Sequence, residues 1–332
     1  MTTDESDRRR DAPTIAVTGA AGYIGSQVVS LLRKEHPDWE IVALDNFYLG
    51  TVREIGDVSV QHIDIRNRDR LETALNGADI VLHLAAISGV EDCEANADLA
   101  YEVNVQGTTN VAWFCRKTGA GLVFPFSMAV LGDPETLPIT VDMPRDPFNW
   151  YGRTKLLGEH IIEDMAEGAF PAHLYLKSNL YGEHEIGDET VSKGTVINFF
   201  VNRVFSDEPL TVYEPGTQSR NYVHVKDVSR AYIRSTEAML DQLEAGETGV
   251  SKYEVASDED PSVIAVAELV REIAVEDAGI ETEVALVDNP RSDETLVSDF
   301  KVDTTKARTE LGWTTEHSVE ESVRELIRQK GR

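Results

Sequence analysis

Short runs of apolar and β-branched residues alternate with longer stretches of helical spacing over most of this chain. Residues 14–18 read Thr-Ile-Ala-Val-Thr. After a glycine-rich turn, residues 24–34 place Ile24, Val28, Leu31 and Leu32 on one helical face. Further strands are predicted at 41–44, 58–63, 80–84, 122–124 and 173–176, with helical patterns between them, the longest at 96–117. Asp146-Pro147 has the form of an N-cap followed by proline at the first helical position, which predicts a helix over 147–167. Strand runs without polar alternation are those of a sheet covered on both faces. Strand–helix alternation of this kind predicts an α/β fold with a doubly wound parallel sheet.

The turn after the first strand carries candidate chemistry. Gly19, Gly22 and Gly25 stand in a Gly-x-x-Gly-x-x-Gly spacing between strand and helix. Gly19 permits a tight turn, Gly22 lets backbone approach a pyrophosphate, and Gly25 lets helix pack on strand. The helix N-terminus offers free N–H groups and a positive dipole end to phosphates. The same spacing also suits an ordinary glycine-rich βα turn. Asp45 closes the second strand, twenty residues after Gly25. A carboxylate there accepts hydrogen bonds from ribose hydroxyls and repels a 2′-phosphate, and no Arg or Lys follows until Arg53, so NAD fits better than NADP. The alternative for Asp45 is a turn residue or N-cap ahead of Asn46. Asp64 ends the third strand and is placed to touch the adenine. This arrangement predicts a Rossmann domain over 13–178 and a smaller C-terminal α/β substrate lobe over 179–332, with residues from about 221 to 256 returning to the first domain.

Tyr151 and Lys155 lie four apart, so on a helix they share a face. Free tyrosine has a pKa of about 10, too high for a base at neutral pH. A neighbouring ammonium favours the phenolate, and a positive nicotinamide ring pushes the same way. Tyr151 is then the candidate base and Lys155 its activator, with Ser127 hydrogen-bonding the same substrate oxygen. A surface Tyr/Lys pair is the ordinary alternative.

The motifs in order are Thr18 to Gly25, Leu44-Asp45-Asn46, His83-Leu84-Ala85-Ala86, Asn104-Val105-Gln106-Gly107-Thr108, Phe126-Ser127 with Gly132-Asp133, Tyr151 to Lys155, Asn179-Leu180-Tyr181-Gly182, and Arg220 through Val228. Each alone is weak, but their succession is specific. The chain resembles the extended short-chain dehydrogenase/reductases, in particular the NAD-dependent nucleotide-sugar epimerase/dehydratase group, from about Thr14 to the last helix. The resemblance implies that Gly19, Gly22, Tyr23, Ile24, Gly25, Asp45, Asn46, Asp64, Ile65, Leu84, Ala85, Ala86, Asn104, Tyr151 and Lys155 hold NAD. It implies that Ser127, Asn179, Arg220, Arg291 and Phe300 meet the substrate, the arginines at its diphosphate. Family members that dehydrate carry an acid and a base just after the serine, and decarboxylases carry a Glu in this stretch. Here those places hold Met128 and Ala129, which leaves oxidation and re-reduction, that is, 4-epimerisation. Leu131 stands where the family usually has Tyr, and Met128 where it has a small polar residue. Phe300 favours a plain hexose over an N-acetylated one. The alternatives are another nucleotide-sugar enzyme of the group (a 4,6-dehydratase, decarboxylase or 4-keto reductase) and a non-catalytic NAD-binding regulator, which usually lacks the Tyr/Lys pair. Relatives usually dimerise through the helices corresponding to 96–117 and 147–167. Both carry more apolar residues than one sheet-facing stripe needs, among them Leu99, Trp113, Leu157 and Met165.

Composition changes the picture last. With 332 residues, 41% of them hydrophobic, the chain can bury a full core. The net charge of −28 argues against nucleic acid or an anionic membrane as partner. The 59 acids against ten lysines give the surface expected in a cytoplasm of multimolar salt, although an acidic mesophilic protein shares the trait. Residues 1–12 read as a flexible acidic tail. Arg8-Arg9-Arg10 is not followed by an apolar stretch, so an export signal is not expected. Cys93 and Cys115 predict no disulfide framework, and eight scattered histidines predict no metal site. His83 is expected to be structural.

Overall fold

The computed structural model describes residues 12–290 and 296–331. Seven parallel strands form the central sheet. They are β1 (Thr14–Thr18), β2 (Glu40–Asp45), β3 (Gln61–His62), β4 (Ile80–His83), β5 (Gly121–Ser127), β6 (Pro171–Lys177) and β7 (Gly249–Val255), in the order β7-β6-β5-β4-β1-β2-β3. The chain reverses direction across the sheet beside β1, which opens a crevice at the carboxyl ends of the strands.

Alternate strand residues feed two cores. Ile15, Val17, Leu82, Val123 and Tyr175 meet helices α1 (Gly25–Glu35) and α5 (Val225–Ala245) on one face. Ala16, Val81, Leu122, Phe124 and Leu174 meet α2 (Arg68–Leu75), α3 (Thr108–Thr118) and α4 (Trp150–Ala166) on the other. A third core, with Ile197, Phe200, Val266, Val270, Val323 and Ile327, is built by helices Val196–Phe205, Val263–Ile273 and Val319–Lys330 over the strand pair Leu210–Tyr213 and Val284–Val287. The chain weaves between these units: β7 pairs with β6 along seven residues, and the indole of Trp313 donates to the Asp227 carbonyl on α5 at 2.8 Å.

Three expected elements differ. The strand at 58–63 is divided. Val58–Ser59 folds back on Glu54–Ile55 around Gly56, which has φ of 62°, and only Gln61–His62 joins the sheet. The helix expected at 96–117 runs without a break from 97 to 118, but a wide π turn at Glu102–Gly107 interrupts its regular winding ahead of α3. Asn96, at φ −136° and ψ 60°, separates it from a short helix at Val90–Ala95. The helix expected from 147 starts at Trp150 instead. Asn149 is the cap, accepting from the Gly152 N–H at 2.9 Å, while Asp146 is tied by its backbone to Val130. The 1–12 tail lies outside the described residues except for its last position.

Candidate active site

The crevice is a cleft of about 1170 Å³, large enough for a dinucleotide and a second ligand. Its cofactor end is made of backbone. Gly19 takes φ of 73°, and a Cβ there would lie 2.6 Å from the Ala85 nitrogen; at Gly25 it would lie 2.1 Å from the Gly19 carbonyl. Any side chain at either position would therefore fill the turn. No side chain caps the start of α1, where the Ser26 N–H bonds the Gly22 carbonyl at 3.0 Å, and the positive end of the helix dipole, at Gly22 to Gly25, lines the cleft. The Asp45 carboxylate accepts from the Ala21 N–H at 3.0 Å and from the Phe47 N–H at 2.7 Å. Burial raises its pKa, and these backbone donors oppose the rise. Each oxygen keeps a lone pair for a ribose hydroxyl. The cradle thus fits a dinucleotide.

Gly22, Ile24, Asn46, Ile65, Leu84, Ala85 and Ala86 line the cleft, and so does Tyr23, whose hydroxyl donates to the Gly182 carbonyl at 2.6 Å. Two expected contacts are placed elsewhere. The Asp64 carboxylate is taken by Arg66 at 2.6 Å in a side groove. The Asn104 amide lies behind the wall, spent on the Ile87 N–H at 2.8 Å, the Ile87 carbonyl at 2.9 Å and the Thr154 hydroxyl at 3.1 Å. There it ties the segment after β4 to α4. His83 is structural, clasped by Thr18 at 2.7 Å and Thr108 at 3.0 Å, and burial pushes its pKa down to about 3.

At the other end, β5 delivers Ser127 and α4 delivers Tyr151 and Lys155, all lining the cleft. The Ser127 hydroxyl is near enough to the Tyr151 phenol to oppose the rise of its pKa, and it caps the short turn Met128–Val130 by accepting from the Ala129 N–H at 3.2 Å. Gly152 makes this approach possible: a Cβ on it would sit 2.4 Å from the Ala129 carbonyl. The Lys155 ammonium donates to the Pro125 carbonyl at 3.1 Å. The expected lowering of the tyrosine by Lys155 does not hold in the protein alone. Burial pushes Tyr151 up to about 12 and Lys155 down to about 8, because a desolvated site disfavours both charged forms. Met128 and Ala129 line the cleft beside them and carry no proton-transfer group.

A model of the NAD dependent epimerase/dehydratase family matches residues 15–251. The chain belongs to that family. It is 30% identical to the UDP-glucose 4-epimerase of Bacillus subtilis, covering 92% of this chain and 94% of that one. The structure of the UDP-glucose 4-epimerase of Thermus thermophilus in complex with NAD matches with a TM-score of 0.78 and 25% identity, covering 95% of this chain and 97% of that one. MoeE5, solved in complex with UDP-glucuronic acid and NAD, matches with a TM-score of 0.79 and 25% identity, covering 96% of this chain and 99% of that one.

In this family member the remaining expected residues converge from distant segments. Asn179, Arg220 and Phe300 all line the cleft. The Asn179 amide donates to the Asn221 carbonyl at 3.1 Å, the Arg220 guanidinium to the Ser219 carbonyl at 2.8 Å, and Phe300 is anchored by its N–H to Asp260 at 2.9 Å. Arg291 lies outside the described residues. Lys177 and Lys193 also line the cleft and were not singled out in the sequence. Their signal was scarcity, since a chain with ten lysines places three of them in one crevice. Cys93 and Cys115 are buried and unpaired, and burial raises both thiols, Cys93 to about 11. Among the described residues there is no metal-ligating cluster and no helix long and apolar enough to cross a membrane.

Proposed function

We propose that this chain is an NAD-dependent nucleotide-sugar 4-epimerase acting on a UDP-linked hexose-series sugar. The observation that carries the reading is Ser127, Tyr151 and Lys155 meeting in one cleft with the glycine cradle, beside Met128 and Ala129, which cannot serve elimination or decarboxylation. Bound NAD supplies the acceptor and donor of the hydride. Tyr151 takes the proton of the sugar's 4-hydroxyl and returns it, while Ser127 holds that oxygen. An ammonium with a pKa of about 8 is still largely protonated at neutral pH, so Lys155 keeps the charge that favours a phenolate. Asn179 and Phe300 fit the sugar, and Arg220 the diphosphate.

The protein works as a cytoplasmic homodimer in this reading. Tyr101, Trp113 and Leu157, on the helical segments expected to pair, are 49%, 38% and 39% exposed, an apolar surface that a symmetry mate would cover. Light scattering in molar salt is expected to give a dimer mass. The activity test is NMR of the purified protein with UDP-glucose, UDP-galactose and other UDP-, dTDP- and GDP-sugars in molar salt. Conversion between C4 epimers is expected. Formation of a dehydrated or decarboxylated product, or no turnover of any sugar, overturns the reading.

A further inference from the structure

Positive charge is scarce in this chain and unevenly placed. Against 59 acids there are ten lysines, and Lys155, Lys177 and Lys193 all line the cleft. Lys117, Lys252, Lys301 and Lys330 each pair with a carboxylate. The three cleft lysines form no ion pair among the described residues. Lys34, Lys226 and Lys306 form none either, but they lie outside the cleft; the cleft lysines differ in being desolvated without a carboxylate partner.

Their positions separate them from the anion sites already described. The cofactor pyrophosphate belongs at the start of α1, and the nucleotide diphosphate at Arg220. Lys177 is the last residue of β6 and the register partner of Ser127. In parallel strands about 4.8 Å apart, register partners project on the same face, so Lys177 stands beside the serine that holds the reacting oxygen. Among the described residues its ammonium has only a backbone partner, the Ser178 carbonyl at 3.3 Å. Lys193 reaches in from the segment after strand Glu189–Val191 and donates to the Ser88 hydroxyl at 2.7 Å and the Ser88 carbonyl at 3.4 Å. Asp92 favours its charge from a distance. The lysines feel one another: after burial, repulsion from Lys193 and Lys155 carries Lys177 down to about 7. Two desolvated, mutually repelling ammoniums cost the free protein stability, and a neutral hydroxyl does not offset that cost, whereas an anion does.

We propose that Lys177 and Lys193 form an anion subsite at the sugar end of the cleft and that the preferred substrate carries a carboxylate on its pyranose, a nucleoside-diphosphate hexuronate. The carboxylate sits at C6, on the ring carbon next to the one that reacts, which is where a cation beside Ser127 can meet it. The inference rests on the nucleotide-sugar reading above and narrows it. The reaction is unchanged, and no bond to the carboxylate is made or broken.

The experiment measures kcat/KM for UDP-glucuronate and UDP-glucose at one fixed salt concentration, with NAD-loaded wild type, Lys177→Met and Lys193→Met. The wild type is expected to favour UDP-glucuronate. Each substitution should lower the uronate-to-glucose ratio by about tenfold to a hundredfold, the range for losing a hydrogen bond to a charged group. Lys226→Met, outside the cleft, should leave the ratio where it was. Preference for UDP-glucose in the wild type, or a ratio unmoved in both variants, overturns the proposal. So does a parallel loss of NAD affinity, which would place these lysines on the cofactor's phosphates. Calorimetric binding of the two sugars separates this from the reaction assignment. Tighter uronate binding without turnover keeps the subsite and removes the epimerase. Lys177→Met should melt at or above the wild-type temperature without ligand, so a loss of ratio is not a loss of fold.

Discussion

The two ends of the cleft are built in opposite ways. The cofactor end is a contiguous piece of backbone, Gly19 to Gly25, closed by one carboxylate, and it works by what is missing from it: side chains at Gly19 and Gly25, and a cap on α1. The sugar end is an assembly of side chains from β5, α4, β6 and several loops, and it works by the charges those side chains bring. A site made of backbone depends on one turn. A site made of side chains depends on how the whole sheet is registered.

The largest expected break is at the side-chain end. Tyr151→Phe should lower turnover by about 10²- to 10⁴-fold, the usual worth of a positioned proton-transfer group, with NAD binding retained. Steady-state kinetics beside an NAD titration check it, and near wild-type turnover would remove Tyr151 from the chemistry.

Acid should act through the supports of the cofactor end. His83 and His184 hold β1 and α1 through Thr18 and Ser26, and burial lowers their pKa to about 3 and about 4. His173 and His224 are lowered to about 4 and about 3. Below the unfolded value near 6.5, the unfolded chain takes up protons that the native state refuses. The histidine contribution to stability should therefore be level above that pH and fall below it, by up to about 1.4 kcal/mol per pH unit for each histidine, until their folded values are reached. Denaturant melts from pH 7 to 4.5 in molar salt measure it, and a flat profile refutes it.

Gly25→Ala tests the backbone end by addition. A Cβ 2.1 Å from the Gly19 carbonyl forces the turn open. Overpacking of about 1–3 kcal/mol corresponds to roughly a tenfold to hundredfold loss of NAD affinity. Sugar selectivity should not change. The smallest effect is global: with a net charge of −28, the melting temperature should rise with KCl into the molar range, where the screening length is about 3 Å. A melting point that falls with salt would show that self-repulsion is not what limits this fold.

The contrast between the ends also explains what the sequence made legible. The cradle and Asp45 were readable because local geometry makes them, and β1 falls where its apolar run does. The π turn at Glu102–Gly107 and the late start of α4 were not readable, because Asn104 reaching to Ile87 and Asp146 bound to Val130 are tertiary choices. The Tyr151/Lys155 pair was found by spacing, yet in the protein alone burial raises the tyrosine and lowers the lysine, since burial is invisible in a four-residue motif. Lys177 was missed for the same reason: its meaning comes from the strand it lies against.

That strand arrangement has a consequence for synthesis. β6 is a seven-residue, mostly buried strand, and one of its edges is covered only by β7, along its whole length. β7 is not complete until residue 255 has left the ribosome. Throughout translation of the intervening segment, nascent chains carry an open parallel edge on the strand that pairs with Ser127. Cells making this protein face a window in which that edge can pair with a neighbouring chain, and fragments ending before Gly249 should be recovered mainly as aggregates.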